Sequence, residues 1–299
     1  MVSPQFTDPD GRPLPRPVRT LRALFERAPG PLREGLLLLA PRLVAPRLPE
    51  LVAHYEDQRT FYLPGDPGPY AQIFTLGEFE PGESAVIRAL LRPGDFAVDV
   101  GANIGWFTLI MGAAVEPGGE VWALEPLPKA LEVLRRNLAL NETLPLKVLE
   151  VALGSTAGTL DLHLFAGLPH GHASASTLDR EDYTTHSAEL RTLDDVLAEA
   201  PRPPVFVKVD VEGSELEVLR GAERTIDSER PPIWMLEVNY ETSAAFGYEP
   251  QALLDSFTAG ERVYRITSSG LRPEDDPSSA PNGSNWVVVP PGHADRVGR

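Results

Sequence analysis

The chain has 299 residues, enough for a full α/β core in one or two domains, with an ordinary soluble balance of 42% hydrophobic and 23% charged residues. A net charge of −16 excludes a general nucleic-acid binder and suits a neutral small molecule better than an anionic one. Zero cysteines exclude disulfides, thiolate metal sites and a cysteine nucleophile, and fit a cytoplasmic location.

No apolar run approaches the roughly 20 residues of a membrane span. The first 20 residues are rich in Pro and charge, unlike a secretory signal. The only lysines are Lys129, Lys147 and Lys208.

In chain order, residues 1–19 carry Pro4, Pro9, Pro13, Pro15 and Pro17 and read as a disordered tail. Residues 20–82 read as a helical N-terminal cap, with helices at Leu21–Ala28 and Leu32–Leu39 separated by Pro29-Gly30-Pro31. Arg59–Leu63 reads as a short strand and Pro64–Pro69 as a loop. From residue 83 to 292 the pattern is regular α/β. Helices are expected at Ser84–Leu91, Ile104–Val115, Pro128–Leu140, Leu193–Ala200 with Thr192 as N-cap, Ser214–Arg220 with a capping-box spacing to Glu217, and Gln251–Thr258. Sheet strands are expected at Phe96–Val100, Val121–Glu125, Lys147–Leu153, Val205–Val209, Ile233–Val238, Val263–Thr267 and Trp286–Val289. Leu160–Phe165 adds a β segment, Gly167–Glu189 a polar loop and Gly270–Ser284 a turn-rich loop. Strands alternating with helices, then a final pair without one, imply a Rossmann-like α/β fold. Its sheet is mostly parallel and seven-stranded, with helices on both faces and an antiparallel last strand.

The chemistry gathers at the carboxyl ends of those strands, where open α/β sheets bind ligands. The first strand runs through Asp99 into a turn bearing Gly101, Ala102, Asn103 and Gly105. Its glycines permit a tight turn and close backbone approach, and a helix N-terminus offers free N–H groups. Glu125 ends the second strand 24 residues after Gly101, the placement of an acid that accepts hydrogen bonds from both ribose hydroxyls of a nucleoside. Asp99 either fixes the turn or meets a cationic ligand, and Ala152 and Leu153 either line an adenine slot or simply end a strand.

Lys208, Asp210 and Glu212 leave the fourth strand together. A lysine and two carboxylates on an otherwise apolar strand are costly to place, and a mutual ion pair would offset that cost. Functionally, Asp210 would position donor or acceptor, Glu212 would help as a base and Lys208 would tune both; the alternative is a structural ion pair. Glu237 and Asn239 end the fifth strand within reach of an acceptor pocket. His170 and His172, in the polar loop, have a metal-compatible spacing but read better as incidental residues of a covering loop, and His186 carries no separate role. Trp106 and Phe107 read as helix core.

The pattern D-x-G-x-N-x-G looks like the first motif of class I S-adenosylmethionine (SAM) methyltransferases. DVGANIG (Asp99–Gly105), LEP (Leu124–Pro126), TLDD (Thr192–Asp195), KVDVEGSELEVLRGA (Lys208–Ala222) and MLEVN (Met235–Asn239) follow in the order and spacing of the FkbM family. The chain resembles that family over about residues 75–290. The resemblance implies a SAM-dependent enzyme that O-methylates a hydroxyl of a secondary metabolite or sugar. With it, the candidate SAM-binding residues are Asp99, Gly101, Ala102, Asn103, Gly105, Glu125, Pro126, Ala152 and Leu153, and the candidate catalytic residues Asp210, Glu212 and Lys208; no metal ligand is assigned, and the need for a divalent metal is left open. The implied partner is a small hydroxylated molecule rather than nucleic acid, and a homodimer is left open. Competing readings are an NAD(P)-dependent oxidoreductase, disfavoured by the missing third glycine and the lack of a Tyr-x-x-x-Lys pair, and a non-catalytic SAM-binding module.

Overall fold

The computed structural model describes residues 4–27, 50–55, 59–63, 69–165, 173–174, 183–257, 260–274 and 281–297. The N-terminal segment differs from its sequence reading. Residues 4–19 are packed rather than loose: β1 (Gln5–Thr7) is a paired strand, Leu14 is buried, and α1 (Arg16–Arg27) begins where the tail was expected to continue. The segment is also not wholly helical. β2 (Leu51–His54) and β3 (Thr60–Leu63) join β1 in a three-stranded antiparallel sheet, followed by α2 (Pro69–Leu76). Leu51, Ala53, Phe61 and Leu63 are buried in one apolar cluster with Ile110, Met111, Phe206 and Met235, so this sheet stacks on the main body. The expected helix at Leu32–Leu39 and most of the Pro64–Pro69 loop lie outside the described residues.

The α/β part then runs in order. α3 (Pro81–Leu90) precedes β4 (Phe96–Val100), and α4 (Trp106–Val115) starts two residues later than expected because Gly105 takes a left-handed backbone (φ 88°). β5 (Glu120–Leu124) and α5 (Pro128–Ala139) follow. The strand expected at Lys147–Leu153 divides into β6 (Leu146–Leu149) and β7 (Ala152–Leu153). The first stays in the main sheet and the second enters a separate sheet with β8 (Gly158–Phe165), β9 (Ala173–Ser174) and β10 (Tyr183–Arg191). β10 replaces much of the expected polar loop and pairs antiparallel with β8 over its whole length. Only Ala188 and Leu190 of this strand join an apolar cluster, so it shows little apolar alternation to read. His186 sits on it, while His170 and His172 lie outside the described residues.

Next come α6 (Leu193–Leu197), β11 (Phe206–Val209), α7 (Glu215–Arg220), α8 (Glu223–Ile226), β12 (Ile233–Val238), α9 (Tyr240–Ala245) and α10 (Gln251–Leu254). Thr192 caps α6 as expected, its Oγ1 accepting from Asp195 N at 3.1 Å. The capping box at Ser214 does not form. Glu217 instead accepts from Ser155 and Arg220. β13 (Arg262–Thr267), β14 (Gly270–Pro273) and β15 (Ser284–Val289) close the chain.

The main sheet has the order β14-β13-β15-β12-β11-β4-β5-β6. All seven expected strands are present, and β14, taken from the expected turn-rich loop, adds an eighth at the edge. β4, β5, β6, β11 and β12 are mutually parallel, and β15 inserts antiparallel between β12 and β13. Side chains alternate between two covered faces. Phe206 and Met235 face α4 and the N-terminal sheet, whereas Val207, Val209, Trp234, Leu236 and Trp286 pack beneath α6, α7 and α8. Lys208 has the parity of Phe206, and its register partner across the ladder is Asp99. The fold thereby puts two opposite charges side by side under α4.

Candidate active site

A cavity of about 380 Å³ opens at the carboxyl ends of β4, β5 and β11. One end is apolar, walled by Pro126, Leu127, Val151, Ala152, Leu153, Leu160 and Leu162. The other holds Glu80, Lys208, Asp210, Glu212 and Glu237, with Phe79, Trp106 and Phe107 beside them. Every residue of the expected SAM-binding and catalytic sets lines this cavity or supports its wall. Asp99 and Gly105 are the two that only support it.

The glycine turn works by close approach. A Cβ on Gly101 (φ 78°) would stand 1.8 Å from Asp210 O, and one on Gly105 would stand 2.5 Å from Leu134 Cδ1. The β4 turn therefore rests directly on the β11 exit, which only glycine permits. The N–H groups of the turn are not free, contrary to the simplest reading of the motif. Gly101 N and Ala102 N both donate to Leu124 O at 3.0 Å, and Gly105 N donates to Ala102 O. Asn103 N donates to Glu125 Oε2 at 2.8 Å.

Glu125 is buried at the middle of the cavity wall, and its Oε1 accepts from Leu127 N at 2.9 Å. Each carboxylate oxygen has a second lone pair, so two acceptor positions remain for a ligand's hydroxyls. Burial pushes its pKa up to about 7 against the lowering effect of those two N–H groups.

At the acidic end, Asp99 is fully enclosed and Oδ2 accepts from Thr108 Oγ1 at 2.6 Å. Its Oδ1 lies 4.0 Å from Lys208 Nζ and has no hydrogen-bond partner among the described residues. Lys208 Nζ donates to Asp210 Oδ2 at 2.8 Å and sits 4.9 Å from the Phe107 ring centroid. Burial works against the Lys208 charge, but Asp210 and Asp99 outweigh it and raise the lysine's pKa. Burial raises the Asp99 pKa, and the nearby ammonium only partly opposes this. Burial, then the Asp210 charge, pushes Glu212 up to about 7; the same two causes raise Glu237, with Glu212 and Glu215 adding to them.

Other residues hold these groups in place. Glu215 Oε1 accepts from Val211 N and Gly213 N, and Tyr248 donates to its Oε2, so the second glutamate of the EGSE run shapes the turn. Asp194 of TLDD accepts from Arg224 N and Thr225 N, tying α6 to α8 away from the cavity. Asn239 lines the cavity but also caps α9, accepting from Glu241 N and Thr242 N. Trp106 is both buried core and cavity wall, its Nε1 donating to Ser84 Oγ.

Glu80 and Phe79 escape the sequence reading. FEPGE looks like a helix start and nothing more, and only the placement of α3 brings it over the β11 exit.

These residues fit an adenosine-bearing cation. The apolar end suits a purine, Glu125 suits a ribose, and the acidic end presents Glu80, Asp210, Glu212 and Glu237 beside Lys208, with an unpartnered oxygen of the enclosed Asp99 behind the wall. Among the described residues Lys208 is the only basic one in the lining, so a dinucleotide's phosphates would meet carboxylates there.

The model of the Methyltransferase FkbM domain matches residues 99–266. Methyltransferase sdnD of Sordaria araneosa is 36% identical over 220 residues, covering 62% of this chain and 79% of that protein. The 31-O-demethyl-FK506 methyltransferase FkbM of Streptomyces tacrolimicus is 32% identical over 218 residues, 60% of this chain and 82% of the relative. Hexuronic acid methyltransferase AglP of Haloferax volcanii is 33% identical over 172 residues, 53% of this chain and 67% of the relative. With the family model spanning more than half of its length, and with four of its five signature runs, all but TLDD, lining or bracing one cavity, the chain belongs to the FkbM methyltransferase family.

Proposed function

We propose that this methyltransferase acts on a hydroxyl of a small molecule, with residues 83–292 as its catalytic domain. The donor that goes with the family is SAM, which supplies an electrophilic methyl group on a sulfonium. The observation that carries the reading is the polarity of the cavity: an apolar end, a central acid, and an acidic end with a single buried ammonium. Pro126, Leu127, Ala152 and Leu153 hold the base and Glu125 the ribose, while the enclosed Asp99 supports the wall beside Lys208 at the donor's cationic end. Transfer from a sulfonium is an in-line displacement, so fixing donor and acceptor oxygen at near-attack distance supplies much of the rate. Lys208 holds the Asp210 carboxylate in place by its hydrogen bond, and Asp210 and Glu212 orient the acceptor's hydroxyl.

Relatives named for 31-O-demethyl-FK506 and for a hexuronic acid support a small oxygen-bearing acceptor. Calorimetric titration with SAM and with NAD tests the donor; binding of NAD but not of SAM at micromolar levels would overturn the reading. Transfer of labelled methyl to D-glucuronic acid, methyl glucoside and 31-O-demethyl-FK506 tests the acceptor. A base-stable ether is the expected product, and a base-labile ester would move the reaction from hydroxyl to carboxyl.

A further inference from the structure

Among the described residues, three that are not glycine hold a left-handed backbone: Glu80 (φ 41°), Asn103 (φ 50°) and Glu212 (φ 55°). All three line the same cavity. That conformation is unfavourable for side chains with a Cβ, and asparagine tolerates it better than glutamate. It persists where the surroundings over-determine it, typically at functional sites.

Glu80 is pinned in this way. Its N–H donates to Gln72 Oε1 at 3.2 Å, and its C=O accepts from Ser84 N at 3.0 Å to start α3. Ser84 Oγ in turn donates to Phe79 O and accepts from Trp106 Nε1. Glycine would satisfy the same backbone bonds without strain, so the side chain is what a glutamate adds. Its carboxyl has no hydrogen-bond partner among the described residues and faces the cavity. Of the other acids, Glu125 is held by two backbone N–H groups, Asp210 by Lys208 and one oxygen of Asp99 by Thr108; Glu237 also keeps an oxygen without a hydrogen-bond partner among the described residues, and it is the left-handed backbone that sets Glu80 apart from it.

We propose that Glu80 is the base that takes the proton of the acceptor's hydroxyl, an assignment that rests on the O-methylation reading. As the new C–O bond forms, the proton passes to a Glu80 carboxylate oxygen. The electron pair of the breaking C–S bond stays on the donor's sulfur. Glu80 reaches the cavity from the α2–α3 link, and the charges that act on it are Asp210, Glu83, Lys208 and Glu212. Burial, then Asp210, pushes its pKa up to about 8, which matches its proton affinity to work near neutral pH.

The tests use the full chain. Glu80→Gln is expected to bind SAM within about twofold of wild type by calorimetry. It should lower kcat about 100-fold on the acceptor of the panel above that wild type methylates fastest. It should also abolish the rise of kcat through about pH 8. Because ionised Glu80 destabilises the fold, the variant's Tm advantage over wild type should widen as pH rises from about 5 to about 9. Glu80→Gly, which relieves the backbone, should melt no lower than wild type and be equally slow. Retained kcat and pH limb in Glu80→Gln, or a Tm gap that does not change with pH, would overturn the assignment. A wild type that binds no SAM sinks the methyltransferase reading and this assignment with it, and is distinguished by being seen before any variant is made.

Discussion

Replacing Lys208 by Met tests the charge balance of the cavity most directly. Lys208 Nζ is 2.8 Å from Asp210 and 4.0 Å from Asp99, and the residue is 2% exposed. At an effective dielectric of about 20, those distances correspond to attractions of about 6 and about 4 kcal/mol. Desolvation of the buried ions takes back several kcal/mol of this. Removing one partner of a buried pair while leaving the others costs about 3 to 5 kcal/mol. At roughly 2 °C per kcal/mol for a chain of this size, Tm should fall by about 6 to 10 °C.

The sign of the pH dependence is also set. Without the ammonium, the native pKa of Asp99, already raised by burial, rises further above its unfolded value of about 3.9. Folding of the variant then takes up a proton, so its stability falls as pH increases above about 4. The deficit against wild type should be larger at about pH 8 than at about pH 5. Adding Asp210→Asn should restore part of the loss, because the two sites are in contact. Urea melts of the three proteins at both pH values check this. A deficit under about 1 kcal/mol at the higher pH, or one equal at both, would refute the reasoning.

Gly101→Ala should lose more than about 2 kcal/mol, since a Cβ at φ 78° would strike Asp210 O at 1.8 Å and force the turn away from β11; a Tm within a degree or two of wild type would show that the turn yields easily. Glu125→Ala should weaken SAM binding by about 1 to 3 kcal/mol and also lower Tm, because Asn103 N and Leu127 N lose their acceptor. Calorimetry showing unchanged affinity would remove the ribose role. Asp210→Asn should lower turnover with labelled SAM much more than it lowers Tm, as its side chain is 32% exposed and the amide can still accept from Lys208; normal turnover would make the β11 exit structural.

Much of the donor side was legible in the sequence because its determinants are local. Buried parallel strands require unbroken apolar runs, as in Phe96–Val100 and Ile233–Val238, and a sharp strand-to-helix turn requires glycine at Gly101 and Gly105. The acid at Glu125 and the charged trio at β11 could be placed at the cavity from strand parity and spacing alone. Elements whose signal is not local escaped. β10 contributes only Ala188 and Leu190 to an apolar cluster, too few for a visible alternation, and Lys147–Leu153 reads as one strand although its two halves pair with different sheets. The Pro-rich start looks loose because β1 is only three residues long and is held by pairing with Val52–His54.

Sequence alone thus determined the fold class, the glycine turn after β4 and the identity of the acids at the strand exits, since each depends on residues within a strand and its exit. Only the tertiary structure decided that N–H groups of the turn are bonded inward, that Lys208 stands between Asp99 and Asp210, and that Glu80, far away in sequence from Lys208 and Asp210, lines the same cavity. Those facts depend on ladder register and on how α3 packs across the strand ends. No spacing within a linear chain encodes either until both partners are in place.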